Sequence, residues 1–181
     1  MKTKKGPWII TNTKVVYENP WIKVREDKVI RPDGKKGIFG VVSMVSGVSV
    51  LPMDKKGNVY LTREYHYGVE RITIEAISGA IAKNETKLCA AKRELKEETG
   101  LIAKKWTYLG FVDPFTTVVV SPNHMYLAQD LIQSEDEQEG TEKIRVIKIP
   151  FEKAVESVMK SEITHSATAT LILKAKNYFK K

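Results

Sequence analysis

The chain has 181 residues, with 30 Lys or Arg against 22 Asp or Glu, a formal net charge of +8 at pH 7. One domain with a sizeable core fits that length, and a lone cysteine, Cys89, excludes an internal disulfide framework. The longest largely apolar run, Val41 to Met53, is broken by serines and a glycine and falls short of a membrane span.

Residues 8 to 60 read as β-hairpins. Strands at 13–16 and 22–26 flank Glu18-Asn19-Pro20. Strands at 28–31 and 38–42 flank Pro32-Asp33-Gly34-Lys35-Lys36-Gly37, and strands at 48–53 and 59–65 flank Asp54-Lys55-Lys56-Gly57-Asn58. A helix follows, with Asn84 as N-cap and Glu85 in the first turn. Leu88, Ala91 and Leu95 turn toward a core, and Cys89 sits among them as a buried spacer. Gly100 takes the left-handed C′ position, and Leu101 meets Leu95 beyond it. Strands at 106–112, 125–129 and 144–149 come next. Helices at 151–160 and 166–179 close the chain, the last with Ala167, Leu171 and Ala175 at helical spacing. Neither an internal repeat nor a Gly/Ser linker divides it.

The end of the first helix carries Glu94, Glu97 and Glu98. At roughly 100° per residue they fall within an arc of about 100°. Glu94 and Glu98 repel at i,i+4, and all three lie where the helix dipole is already negative. Each effect costs from a few tenths to about 1 kcal/mol, and all have the same sign. An acidic run of this kind, taken alone, is usually a solvated helix end. A divalent cation with oxygen ligands would reverse the balance.

The spacing runs Gly79, five residues, Glu85, seven residues, Arg93-Glu94, an aliphatic, any residue, Glu97-Glu98, any residue, Gly100 and an aliphatic. It is similar to the Nudix box. The resemblance implies a Nudix hydrolase of the α/β class: an α/β/α sandwich with a mixed β-sheet, behind an N-terminal β-rich region. It implies cleavage of a nucleoside diphosphate linked to another moiety, with Mg²⁺ or Mn²⁺. Glu94, Glu97 and Glu98 would hold metal, joined by the Ser78 carbonyl. Glu85 and Arg93 would brace loop and helix as an ion pair, while Gly79 allows a tight turn and Gly100 ends the helix.

Other segments resemble the ADP-ribose pyrophosphatases and related nucleoside-diphosphate-sugar hydrolases. They are Val15 to Trp21 through Arg31-Pro32-Asp33-Gly34, Leu61-Thr62-Arg63-Glu64-Tyr65-His66-Tyr67, Ile74-Glu75-Ala76-Ile77-Ser78-Gly79 and Glu142-Lys143-Ile144-Arg145-Val146. By this resemblance Arg63, His66 and Glu75 contact the substrate and Trp21 stacks on its base. Glu142 is the general base, with Glu139 or Glu98 as alternatives. Residues 1–42 form a dimer-forming β-region of the same unit, and 43–181 the hydrolase domain. Two departures stand out: His66 replaces a second arginine, and Ile77-Ser78 replaces Pro-Ala. An arginine is a fork of permanent charge and a histidine is not. Read alone, His66 is equally a satisfied strand histidine and Trp21 a hairpin core residue.

The implied reaction is ADP-ribose to AMP and ribose 5-phosphate. The alternatives are hydrolysis of GDP-mannose, a dinucleoside polyphosphate or a damaged nucleotide, and a Nudix-fold sensor that binds without hydrolysis. The lysines are scattered, with Lys2, Lys4 and Lys5 at one end and Lys180 and Lys181 at the other. No aromatic–basic stacking motif accompanies them. The expected partners are a small polyanionic nucleotide and, as the resemblance implies, a second copy of the chain, with neither nucleic acid nor membrane. Lacking a visible targeting segment, the protein is expected in the cytoplasm.

Overall fold

The computed structural model describes residues 2–134 and 144–180. In chain order the elements are β1 (Thr3–Lys5), β2 (Trp8–Glu18), β3 (Ile22–Ile30), β4 (Lys36–Met44), β5 (Gly47–Pro52) and β6 (Asn58–His66). After a short 3-10 turn at Tyr67–Val69 come β7 (Arg71–Glu75), β8 (Ile77–Ala80), α1 (Lys87–Thr99), β9 (Leu101–Val112) and β10 (Val119–Val120). The chain ends with β11 (Asn123–Gln133), β12 (Arg145–Pro150), α2 (Phe151–Met159) and α3 (Ser166–Tyr178). Two compact units result: Met1–Val45 with Asp113–Ser121, and Ser46–Val112 with Pro122–Lys181.

The first unit is a five-stranded sheet in the order β1-β2-β3-β4-β10. It is antiparallel except that β10 runs parallel to β4. Between β2 and β3, Asn19 Oδ1 accepts hydrogen bonds from the Trp21 and Ile22 amides at 2.9 and 2.8 Å, which closes the turn. The two strands expected at 22–26 and 28–31 are one continuous strand, β3. Its polar centre does not break it, because buried Asp27 accepts from Thr13 Oγ1 at 2.8 Å and from Arg25 Nε at 3.2 Å.

The second unit is built on a mixed sheet in the order β8-β5-β11-β9, with β5 parallel to β11 and the other pairs antiparallel. Strand alternation divides its side chains between two cores. On one face Val48, Val50, Ile77, Tyr126 and Ala128 pack with Ala90, Ala91 and Leu95 of α1. On the other, Leu51, Met125 and Leu127 pack with Ala154 and Val155 of α2 and with Leu171, Ile172 and Ala175 of α3. A helix layer thus covers each face, which is the α/β/α sandwich. A second sheet, β12-β6-β7, adds Val59 and Leu61 to the α2–α3 core.

Four local expectations are overturned. Strands β5 and β6 form no extended hairpin, since a single bridge, Met53 to Val59, joins them. Both edges of β5 are taken by β8 and β11, so β6 pairs with β7 and β12 instead. The helix also starts later than Asn84. Thr86 is the N-cap, its Oγ1 accepting from the Cys89 amide at 3.2 Å, while Asn84 holds a left-handed φ of 68° in the preceding turn. Leu88, in the first turn, is exposed. Cys89 is exposed as well, because six residues from Leu95 it lies roughly 120° round the helix from the core face. The end of α1 does match: Gly100 has φ 66°, its amide bonds Lys96 O, and Leu101 joins Leu95 in one cluster. Among the described residues no helix is long and apolar enough to cross a membrane.

Leu95→Ala should lower unfolding free energy by about 2–5 kcal/mol through loss of contacts to a fully buried side chain. Thr86→Ala should cost about 1 kcal/mol through loss of the cap. Denaturant unfolding measures both.

Candidate active site

The end of α1 lies against β8, and one glycine permits the closest approach. A Cβ built on Gly79 would overlap the carboxylate of Glu94. Any larger residue here would displace that carboxylate. Next to it, the Ser78 amide donates to Glu98 Oε1 at 3.3 Å. Glu94 and Glu98 are thereby folded onto Ser78 and Gly79. Ser78 itself is tied down by its hydroxyl, which donates to Ala76 O at 2.8 Å and lies 2.9 Å from Ser49 Oγ.

Arg93 offsets the repulsion among the carboxylates. Its Nε lies 3.0 Å from Glu85 Oε1 and its Nη1 lies 2.7 Å from Glu94 Oε1 and 2.9 Å from Glu97 Oε2. Its Nη2 donates to Ala80 O at 3.0 Å and to Glu85 Oε2 at 3.1 Å. Glu85 also accepts from the Ala82 amide at 3.0 Å, which secures the loop before the helix. The Arg93 guanidinium holds the Glu85 carboxyl below the usual glutamate range. Glu94 is pushed the other way: burial raises its pKa, with Arg93 opposing and the charges of Glu97 and Glu85 adding.

Among the described residues no three His, Cys, Asp or Glu side chains already stand as an ion cage, since Arg93 lies between Glu94 and Glu97. The donors nevertheless suit a hard divalent cation. They are carboxylate oxygens beside a backbone strand, one of them in a cradle that a Cβ would fill.

A second polar cluster centres on Glu75. Its Oε1 lies 3.1 Å from His66 Nε2 and accepts from Thr73 Oγ1 at 2.7 Å. Its Oε2 lies 3.0 Å from His165 Nδ1. His165 also meets Thr168 Oγ1 at 2.8 Å, and that hydroxyl oxygen accepts from the Ala76 amide at 2.8 Å. The cluster thus ties β6, β7 and α3 to the chain just ahead of Ser78. Arg63 is not part of it. Three residues from His66, it leaves the opposite face of β6. Trp21 lies in the other unit and is 73% exposed, so it is no hairpin core residue. Glu139 and Glu142 lie outside the described residues. Sequence reasoning missed Thr73, His165 and Thr168. Thr73 carries no motif, and about ninety residues separate the α3 pair from their partners.

Gly79→Ala should expel Glu94 from its cradle and cost about 1–3 kcal/mol of stability by overpacking. Calorimetry checks the stability loss, and Mn²⁺ titration should show weakened ion binding.

The family comparisons agree with this geometry. A Nudix domain model matches residues 44–166, and a nucleoside diphosphate sugar hydrolase N-terminal domain model matches residues 8–42. The chain is 28% identical over 166 residues to the ADP-ribose pyrophosphatase of Bacillus subtilis (strain 168), covering 87% of this chain and 86% of that one. It is 22% identical over 169 residues to the methanol dehydrogenase activator of Bacillus methanolicus, covering 88% of each. A crystal structure of an ADP compounds hydrolase superposes with a TM-score of 0.82 at 21% identity, over 94% of this chain and 93% of that one, and shares the fold. The chain belongs to the Nudix hydrolase family and is a pyrophosphohydrolase of the branch that carries a nucleoside diphosphate sugar hydrolase N-terminal domain.

Proposed function

We propose that this protein hydrolyses the pyrophosphate bond of a nucleoside diphosphate sugar, with ADP-ribose the leading substrate and AMP and ribose 5-phosphate the products. The observation that carries the proposal is the burial of the Glu94 carboxylate against Gly79, with Glu98 held at the Ser78 amide. The match of residues 8–42 to the sugar-hydrolase N-terminal model and the similarity to an ADP-ribose pyrophosphatase support the substrate class.

In this reading Glu94, Glu97, Glu98 and the Ser78 carbonyl would hold Mg²⁺ or Mn²⁺. The ion would neutralise diphosphate charge and acidify a bound water. Arg93 orients Glu94 and Glu97 from one guanidinium, and Glu85 anchors that guanidinium to the loop. Diphosphate clamping rests on Arg63, with His66 a weaker donor that leaves the opposite face of β6. Glu142 takes the proton of the attacking water, with Glu139 or Glu98 as the other candidate bases, and such a group contributes about 10²–10⁴-fold. Residues 1–42 form the dimerisation region ahead of a hydrolase domain at 43–181, and Trp21 stacks on the base. The protein acts as a homodimer in the cytoplasm. The use of a single cysteine fits a reducing compartment.

His66 in place of arginine favours one second reading, a Nudix substrate with a different leaving part such as GDP-mannose or a dinucleoside polyphosphate. Incubation of ADP-ribose, GDP-mannose, NADH, diadenosine polyphosphates and nucleoside triphosphates with Mg²⁺, followed by product chromatography, separates the two. ADP-ribose should turn over fastest, and EDTA should abolish hydrolysis. Glu98→Gln should lower kcat by about a hundredfold or more without loss of folding, and near-normal turnover would remove the metal assignment.

A further inference from the structure

The sheet of the first unit gathers lysines that stand far apart in the sequence. Asp27 and Val29 of β3 are buried on one face, so Lys28 and Ile30 point to the other. In register, Lys4, Ile9, Ile30 and Lys36 form one row across β1, β2, β3 and β4. The next row on that face carries Asn12, Lys28 and Ile38, and the one after it places Lys14 opposite Glu26. Lysines thus outnumber acids across these rows.

The face is hollowed where these rows meet. Thr11 is the extra residue of a bulge in β2, between Ile10 opposite Val29 and Asn12 opposite Lys28, and a bulge bends the strand that carries it. The Thr11 hydroxyl donates to Lys28 O at 2.9 Å and holds the two strands together there. A groove of about 690 Å³ is lined by Lys2, Thr11, Lys28 and Lys36, with Ile30 and Ile38 as apolar surface among them. No Asp or Glu among the described residues lines it. Elsewhere on this unit basic groups are matched, Lys23 lying 3.1 Å from Glu18 and Arg31 3.3 Å from Asp33. Among the described residues Lys2, Lys28 and Lys36 form no ion pair. Like charges held together on one sheet face repel, and a multiply charged anion relieves that repulsion.

We infer that this groove is a second anion site, separate from the carboxylates of α1, and that it takes a compact oligophosphate: linked phosphoryl groups, free or at the end of a nucleotide. Lysine ammonium groups donate without a fixed fork, which suits the oxygens of linked phosphates that present themselves in several directions. The three lysines come from the segment ahead of β1, from β3 and from β4, and they surround one hollow. An extended backbone would need them in a line. No aromatic side chain among the described residues lines the groove, which removes the stacking on which single-stranded nucleic acid binding depends. The groove is itself cationic, so a phosphate needs no metal to enter it. The inference goes beyond the hydrolytic reading and holds whether or not ADP-ribose is the substrate.

The test is calorimetric titration of the full chain with inorganic tripolyphosphate, in EDTA and about 50 mM salt, so that no ion loads the carboxylates of α1. Wild type is compared with Lys28→Glu/Lys36→Glu, with Lys104→Glu/Lys105→Glu and with Glu98→Gln. The substituted lysines are all exposed, and the two double variants change net charge equally. The wild type should bind, and raising salt to about 200 mM should weaken binding. Reversing Lys28 and Lys36 should weaken it by about tenfold or more, while the Lys104/Lys105 reversal and Glu98→Gln should stay within about twofold of wild type. No binding by the wild type overturns the inference. An equal loss in both charge-reversed variants also overturns it, since overall positive charge then suffices. If circular dichroism shows the Lys28/Lys36 reversal unfolded, Lys28→Gln/Lys36→Gln takes its place and should still bind several-fold more weakly than wild type. Binding of a single-stranded RNA or of phosphatidylglycerol vesicles through Lys28 and Lys36, with none of tripolyphosphate, overturns the compact anion. Loss of ADP-ribose hydrolysis with tripolyphosphate binding intact, or the reverse, separates this site from the hydrolytic one.

Discussion

The guanidinium of Arg93 balances the charges of the site, and the rest of the arrangement depends on that balance. Three carboxylates at a helix C-terminus repel one another and the dipole. Arg93 reaches Glu94 and Glu97 with one nitrogen and Glu85 with two others. It also holds the Ala80 carbonyl, so the same group fastens α1 to β8. A lysine would deliver the charge without the fork, and could not hold two directions at once. Arg93 thus offsets part of the repulsion carried by the acidic helix end.

That fastening works because the central sheet is finished on both sides. Val48 and Val50 commit one face of β5 to α1, and Leu51 commits the other to the α2–α3 core. With β8 and β11 occupying its edges, β5 is held from four directions. Gly79 lies opposite Val48 in register, so the half-buried cradle for Glu94 sits beside a fully buried residue of β5. The raised basicity of Glu94 follows from the same burial.

Glu75 extends the framework toward the second sheet. Its strand ends one residue before Ala76, whose amide is held by Thr168 of α3. The polar cluster therefore links the histidine at the end of β6 to the strand bearing Ser78.

The residues alone determined the elements whose signals are local. These include the helix that ends at Gly100, where only a residue without Cβ adopts φ near 66° at no cost, and the acidic spacing that carries the Nudix box. They also include most of the longer strands, although β2 and β9 each begin five residues ahead of the expected start. What tertiary structure alone decided are the partnerships between distant segments. Sequence could not show that β5 would turn from β6 to β11, that Asp27 would be buried in mid-strand by Thr13 and Arg25, or that Asp113–Ser121 would join the first unit. It could not show that His165, on the last helix, would reach Glu75. Propensity and periodicity act over one element, whereas pairing and burial are settled by which surfaces remain open once the others have packed.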